Sequence, residues 1–103
     1  MCNFKKIDVQ EVKKLVDQGD ITIVDIRDDD SYAEAHIQGA VLVNDENIDD
    51  FINNTDKNKP ILCYCFHGLS SQNKATYFSE NGFKTVYSML GGFEGWRAEY
   101  LEF

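Results

Sequence analysis

The chain has 103 residues, of which 43% are apolar and 27% charged, a balance typical of one compact globular domain with one hydrophobic core. Its 18 acidic and 10 basic side chains give a formal net charge of -8, without the basic stripe that would indicate nucleic-acid binding. This length suffices for one core, so we expect one domain over residues 1–103. No apolar run approaches membrane-spanning length, so we expect no membrane partner.

Up to residue 60, short apolar runs alternate with helical patterns. Asp8, with Glu11 three residues later, is typical of a capping box, so a helix is predicted to begin there and to end at Gly19. The β-branched run from Ile21 to Asp25 predicts a buried strand. Shorter patterns predict a strand near residues 4–7, a short helix at about 31–35, a strand at 40–43 and a helix containing Ile48, Phe51 and Ile52.

The same alternation continues after Pro60. The apolar run Ile61 to Tyr64 predicts another strand, followed by a loop over residues 65–70 and a helix over about 71–81. The remaining predicted elements are a last strand at Val86 and Tyr87, a turn at Gly91 and Gly92, and a helix bearing Phe93, Trp96 and Tyr100. This order predicts an α/β fold with a mostly parallel sheet covered by helices on both faces. Ligands of such sheets bind at the carboxyl ends of the strands, and Cys65 follows one of them.

The segment from Cys65 to Ser71 places a cysteine at a strand end, then a short loop, then the start of a helix. If the loop curls around the sulfur, its N–H groups and the helix N-terminus form an anion cradle that lowers the thiol pKa. Gly68 gives the loop backbone angles that other residues avoid, and Ser70 and Ser71 are expected to cap the helix or to donate to the anion. The residues alone leave open a second interpretation, in which Cys65 is a small buried core residue.

The chain contains three cysteines, and its first residues lack the apolar run of a secretory signal. We therefore expect a cytoplasmic protein with reduced thiols. Cys63 and Cys65 form a C-x-C pair near His67, but structural zinc needs four ligands, so no metal is predicted. Cys63 is expected in the core, and Cys2 as a free thiol near the N-terminus.

Several polar side chains have two interpretations. Asp25 and Arg27 are either substrate ligands or, as we expect, an ion pair that holds a strand end. His36 is expected to make structural hydrogen bonds near the following turn, in preference to acid/base work. His67 either assists proton transfer beside Cys65 or points outward, and we expect the second.

Three segments together resemble the rhodanese family. Val24-Asp25-Ile26-Arg27, followed by Tyr32 and by His36-Ile37-Gln38-Gly39-Ala40, is similar to the family's N-terminal signature. Cys65-Phe66-His67-Gly68-Leu69-Ser70-Ser71 is similar to its active-site loop, and Gly91-Gly92-Phe93-Glu94-Gly95-Trp96 to its C-terminal signature. The match extends over nearly the whole chain and is best to the single-domain thiosulfate sulfurtransferases.

The resemblance implies a rhodanese fold, in which a five-stranded parallel sheet is flanked by helices, and a reaction of two displacements. The Cys65 thiolate would take the outer sulfur of thiosulfate, release sulfite, and pass the sulfur from a persulfide to a thiophilic acceptor. That acceptor would be cyanide in the test tube and a dithiol or a thiol protein, for example a thioredoxin-like one, in the cell. No cofactor is implied. The implied substrate-binding groups are loop amides and hydroxyls, those of Phe66, His67, Gly68, Leu69, Ser70 and Ser71.

Two features of this loop bear on how it would bind a donor and an acceptor. No Lys or Arg lies between Cys65 and Ser71, so we expect backbone amides to provide most of the anion binding. Phe66 and Leu69 are apolar residues in a loop that should be exposed, so we expect them to contact an acceptor protein. Outside the loop, Ala35 stands where the family often has glycine.

Three other functions are compatible with parts of the pattern. A cysteine phosphatase or arsenate reductase would need an arginine that closes the loop, where this chain has Ser71. Non-catalytic binding modules of this fold often lack the cysteine, which this chain keeps. A sulfur-relay protein, whose persulfide passes to one protein partner, is not separated by the sequence from an enzyme that acts on small molecules.

Overall fold

The computed structural model describes residues 4–100. Its strands are β1 (Lys5–Ile7), β2 (Thr22–Asp25), β3 (Val41–Leu42), β4 (Ile61–Tyr64) and β5 (Val86–Met89), and its helices are α1 (Val9–Gln18), α2 (Asp29–Glu34), α3 (Ile48–Asn53), α4 (Ser70–Glu80) and α5 (Gly92–Tyr100). The strands form a five-stranded sheet in the order β1-β5-β4-β2-β3, and each pair in it is parallel. The predicted α/β fold is confirmed, and the sheet is entirely parallel.

The predicted ends of α1 are confirmed by its capping contacts. The Asp8 carboxylate accepts a hydrogen bond from the Glu11 N–H at 2.9 Å, and Gly19 ends the helix with a φ of 82°. Helix α2 begins two residues earlier than predicted, at Asp29. Asp28 caps it by accepting from the backbone N–H of Ser31 at 3.3 Å and from the Ser31 hydroxyl at 2.7 Å.

Strand β4 lies in the middle of the sheet, and all four of its residues are buried. One sheet face packs against α1 and α5, which contribute Val12, Phe93 and Trp96 to a core cluster. The other packs against α3 and α4, with Ile52 and Phe78 in a second cluster. Burial on both faces explains why the strands are near-continuous apolar runs.

The chain leaves β4 directly into the loop before α4, and α5 begins close to that loop because β5 is the neighbour of β4. Helix α5 begins at Gly92, inside the predicted turn, and β5 extends two residues beyond Tyr87. Across residues 4–100, no helix is long and apolar enough to cross a membrane.

Candidate active site

Cys65 is the first residue after β4, and only 4% of its surface is exposed. It lines a cleft of about 380 Å³ at the carboxyl edge of the sheet, together with residues of its own loop and of the segment after β2. The site therefore lies where parallel sheets bind their ligands, as the sequence predicted.

The loop after Cys65 curls around the sulfur. Its Sγ accepts hydrogen bonds from the N–H groups of Gly68 at 3.1 Å and Ser71 at 3.3 Å, and it lies 3.6 Å from the Ser71 hydroxyl oxygen. Burial raises the pKa of the Cys65 thiol, but the hydrogen bonds from Ser71, Gly68 and His67 outweigh burial and lower the pKa below its ordinary value. The cradle therefore favours the thiolate.

Backbone N–H groups at the start of α5 donate hydrogen bonds to two carbonyl groups of the same loop. The N–H of Phe93 donates to the Cys65 carbonyl at 2.7 Å, and the N–H of Glu94 donates to the Phe66 carbonyl at 3.1 Å. Because C=O and N–H point in opposite directions across a trans peptide, these bonds turn the amides of Phe66 and His67 away from α5. Helix α5 thus fixes the orientation of the loop amides.

This close approach depends on Gly92. A Cβ atom there would lie 2.5 Å from the carbonyl carbon and oxygen of Phe66 and 2.6 Å from the Cys65 carbonyl oxygen, and the residue has a φ of 58°. Gly68, with a φ of 95°, is similarly placed, because a Cβ there would lie 3.0 Å from the Gly91 nitrogen. A side chain at Gly92 would clash with the loop backbone, and one at Gly68 would be strained by its φ and by a tight contact.

Behind the loop lies a buried polar cluster. The Ser71 and Ser88 hydroxyl oxygens are 2.8 Å apart, and both residues are buried. The Cys63 sulfur lies 3.4 Å from the Ser71 carbonyl oxygen and 3.6 Å from that of Tyr87, so its one S–H can donate to either, and burial raises the pKa of the thiol. Cys63 is therefore a neutral core thiol, as expected.

The pair of Asp25 and Arg27 occupies the end of β2. The guanidinium contacts the carboxylate through Nη2 at 2.7 Å and Nε at 3.1 Å, and both side chains are almost fully buried. Tyr64 also donates its hydroxyl to Asp25 at 2.7 Å. The expected structural ion pair is confirmed.

Arg27 also lies where the less favoured interpretation, a substrate ligand, would need it. It lines the cleft together with Cys65 and Asp28, and its Cζ lies 4.1 Å from the centre of the Phe93 ring and 5.7 Å from that of Phe66. A cation therefore lines the same cleft as Cys65, although the loop itself has none. The position of Arg27 just after β2 explains this placement. Strands β2 and β4 are parallel neighbours, so the segments that follow them lie at the same edge of the sheet.

The family model for the rhodanese-like domain matches residues 8–99. The chain belongs to the rhodanese family. It is 45% identical over 97 residues to a thiosulfate sulfurtransferase GlpE of Coxiella burnetii, which covers 94% of this chain and 91% of that protein. It is 46% identical over 100 residues to the protein of the same name from Pseudomonas fluorescens, with 97% and 91% covered. The crystal structure of a rhodanese-like domain protein from Staphylococcus aureus superposes with a TM-score of 0.78 at 32% identity, covering 90% of this chain and 91% of that one.

The three residues of this rhodanese loop that were expected to face outward, Phe66, His67 and Leu69, are exposed. Leu69 is 75% exposed and Phe66 41% exposed, and His67 and Ser70 are also exposed and line the cleft. Of the two roles expected for Ser70 and Ser71, neither residue caps α4, but the Ser71 hydroxyl lies where the second role, donation to the anion, needs it. Leu69 occupies the cap position, with no side-chain hydrogen bond, while the Ser71 hydroxyl faces Cys65 and Ser88.

The other histidine is structural, as expected. His36 Nδ1 lies 2.7 Å from the Tyr32 carbonyl oxygen, and its ring stacks on the Tyr32 ring with centroids 3.9 Å apart. Within residues 4–100, no group of three or more His, Cys, Asp or Glu side chains could hold a metal ion. Cys2 lies outside the described residues.

Proposed function

We propose that this chain is a thiosulfate sulfurtransferase in which Cys65 carries the transferred sulfur as a persulfide. The observation that carries the proposal is the Cys65 sulfur, held by the N–H groups of Gly68 and Ser71 with a lowered pKa. Relatives about 45% identical to this chain are named thiosulfate sulfurtransferases, which supports the donor and the reaction type.

In the first displacement, the Cys65 thiolate attacks the outer sulfur of thiosulfate. A bond forms between Sγ and that sulfur, the sulfur–sulfur bond of thiosulfate breaks, and its electron pair leaves with sulfite. The negative charge then lies on the outer persulfide sulfur, which the loop amides and the first turn of α4 are placed to stabilise. Arg27 lines the cleft, but Asp25 balances its charge, so the amides contribute most of the anion binding.

In the second displacement, a thiophilic acceptor attacks the outer sulfur, and Cys65 leaves as a thiolate. The same hydrogen bonds that lower the pKa of Cys65 make it a better leaving group. Residues 1–103 would act as one catalytic domain, in a cytoplasmic setting that keeps acceptor thiols reduced.

Thiosulfate alone should add one sulfur atom to the protein, and cyanide should then remove it. The adduct is expected because the first displacement needs no acceptor. Intact-mass spectrometry counts the added sulfur, and peptide mapping should place it on Cys65. An active enzyme that shows no adduct even after rapid quenching would contradict the persulfide and indicate direct transfer between donor and acceptor.

The rim of the cleft fits a protein acceptor. Leu69 and Phe66 are exposed apolar side chains next to a sulfur that is itself almost fully buried. A cysteine that protrudes from a partner would reach Cys65 while its surroundings cover these two side chains. We therefore propose a thiol protein, for example a thioredoxin-like one, as the cellular acceptor.

A Leu69→Ser variant should lose about tenfold in kcat/KM toward a reduced thiol protein, because one large side chain is no longer buried on binding. The loss should be smaller with cyanide, which is too small to cover the rim. Val41→Ser is the matched control, since Val41 is 46% exposed and lines a different hollow. Equal losses with both acceptors would contradict a docking role for Leu69.

A further inference from the structure

A buried chain of hydroxyl groups leads from the Cys65 sulfur to the neighbouring strand. The Ser71 oxygen lies 3.6 Å from the sulfur and 2.8 Å from the hydroxyl oxygen of Ser88 on β5. Ser71 is 0% exposed and Ser88 is 1% exposed, so bulk water does not compete for either hydroxyl. Ser88 itself does not touch the substrate cleft.

Each hydroxyl has one hydrogen, and this limits which of the three groups, Cys65, Ser71 and Ser88, can donate to which. A thiolate cannot donate, so a hydrogen bond between Ser71 and ionised Cys65 requires Ser71 to direct its one hydroxyl hydrogen at the sulfur. The Ser71 oxygen can then only accept from Ser88. When Cys65 is a neutral thiol, the thiol can donate to Ser71, and Ser71 to Ser88. The orientation of the two hydroxyls is therefore coupled to the protonation of Cys65.

We infer that Ser88 is a positioning residue, which donates to Ser71 and so directs the Ser71 hydroxyl at the Cys65 sulfur. A hydrogen bond to an oxygen strengthens the bond that the same hydroxyl donates, because the two polarise each other in a low-dielectric interior. Ser88 thereby favours the thiolate without contacting it. The inference rests on the proposed role of Cys65 as the sulfur carrier.

The titratable groups on the elements that pack around Cys65 are all retained in a Ser88 variant. Cys63 approaches from β4, His67 belongs to the loop, and Arg27 and Asp28 line the cleft from the segment after β2. Glu94 lies in the first turn of α5. A shift in the titration of Cys65 on substitution of Ser88 would therefore report the hydroxyl chain.

The rate of Cys65 alkylation by iodoacetamide across pH tests this inference, with peptide mass spectrometry to separate Cys65 from the other cysteines. Ser88→Ala should move the midpoint to higher pH, so that below it the thiolate and the alkylation rate fall about threefold. Ser71→Ala should produce a larger shift, and adding Ser88→Ala to it should produce no further shift. Ser88→Thr, which keeps the hydroxyl, should restore the wild-type midpoint. If Ser88→Ala does not fold, Ser88→Cys provides a weaker donor of similar size and should show a smaller shift in the same direction.

Val86→Ala is the matched control, because Val86 lies two residues earlier on the same strand and is 2% exposed. It removes buried volume but no hydroxyl, so the alkylation midpoint should stay unchanged. An unshifted midpoint in Ser88→Ala, or an equal shift in Val86→Ala or in the Ser71→Ala background, would overturn the inference. Because alkylation does not require sulfur transfer, this result is independent of whether thiosulfate is the donor.

Discussion

Replacing Cys65 by serine is expected to reduce sulfur transfer from thiosulfate to cyanide by a factor on the order of 10³ or more. A serine hydroxyl stays protonated at neutral pH and cannot form a persulfide. The fold should persist, because serine is similar in size and its oxygen can accept the hydrogen bonds of Gly68 and Ser71 that the sulfur accepts. Turnover assays and urea unfolding measure the two effects separately.

Cys63→Ser is the control for this variant. Its thiol is fully buried beside two backbone carbonyls, so the substitution should reduce stability by about 1 kcal/mol while leaving most of the activity. An equal loss of activity in the Cys63 and Cys65 variants would instead indicate a mechanism that uses both thiols.

The pH dependence of the wild type provides a second check on the same sulfur. The thiolate fraction rises with pH, so the rate of the thiosulfate step should rise with pH and then level off. Because the pKa of Cys65 is lowered, the plateau should begin below the pH at which an ordinary thiol ionises. A rate that continues to rise through the pH range in which an ordinary thiol ionises would show that the loop does not lower the pKa of Cys65.

Gly92→Ala is expected to inactivate the enzyme from outside the loop. The added Cβ would lie about 2.5 Å from backbone atoms of Phe66, at a φ of 58° that alanine rarely adopts. To relieve the clash, the loop must move away from α5 and lose the two bonds that orient its amides. We expect activity to fall at least about tenfold and stability by about 3 kcal/mol. Turnover, Cys65 alkylation and urea unfolding should all change.

Gly95→Ala is the matched control on the same helix. The nearest atom to its added Cβ is a Val9 methyl group at 3.4 Å, an ordinary contact, and alanine is the better helix former. This variant should keep its activity and be at least as stable as the wild type. If Gly92→Ala retained full turnover, the support of the loop by α5 would have no functional role.

Local sequence rules predicted most of the fold. The helix α1 was predicted at both ends because its signals, Asp8 and Gly19, act within a few residues of the backbone groups that they satisfy. The strand β4 was predicted with its observed bounds, since a fully buried strand must be apolar throughout. Boundaries failed where the deciding contact was not in the predicted pattern, as at α2, whose cap Asp28 lies within a run of three acids.

The sequence by itself determined that a cysteine follows an apolar strand and is followed by a short loop and a helix, the pattern of an anion cradle. Only the tertiary structure decided what surrounds that cradle. Arg27 reaches the cleft because β2 pairs with β4, and Ser88 reaches Ser71 because β5 pairs with β4 on the other side. Gly92 orients the loop from α5, more than twenty residues further along the chain. These contacts depend on strand order, and no periodicity or capping signal encodes which strands become neighbours.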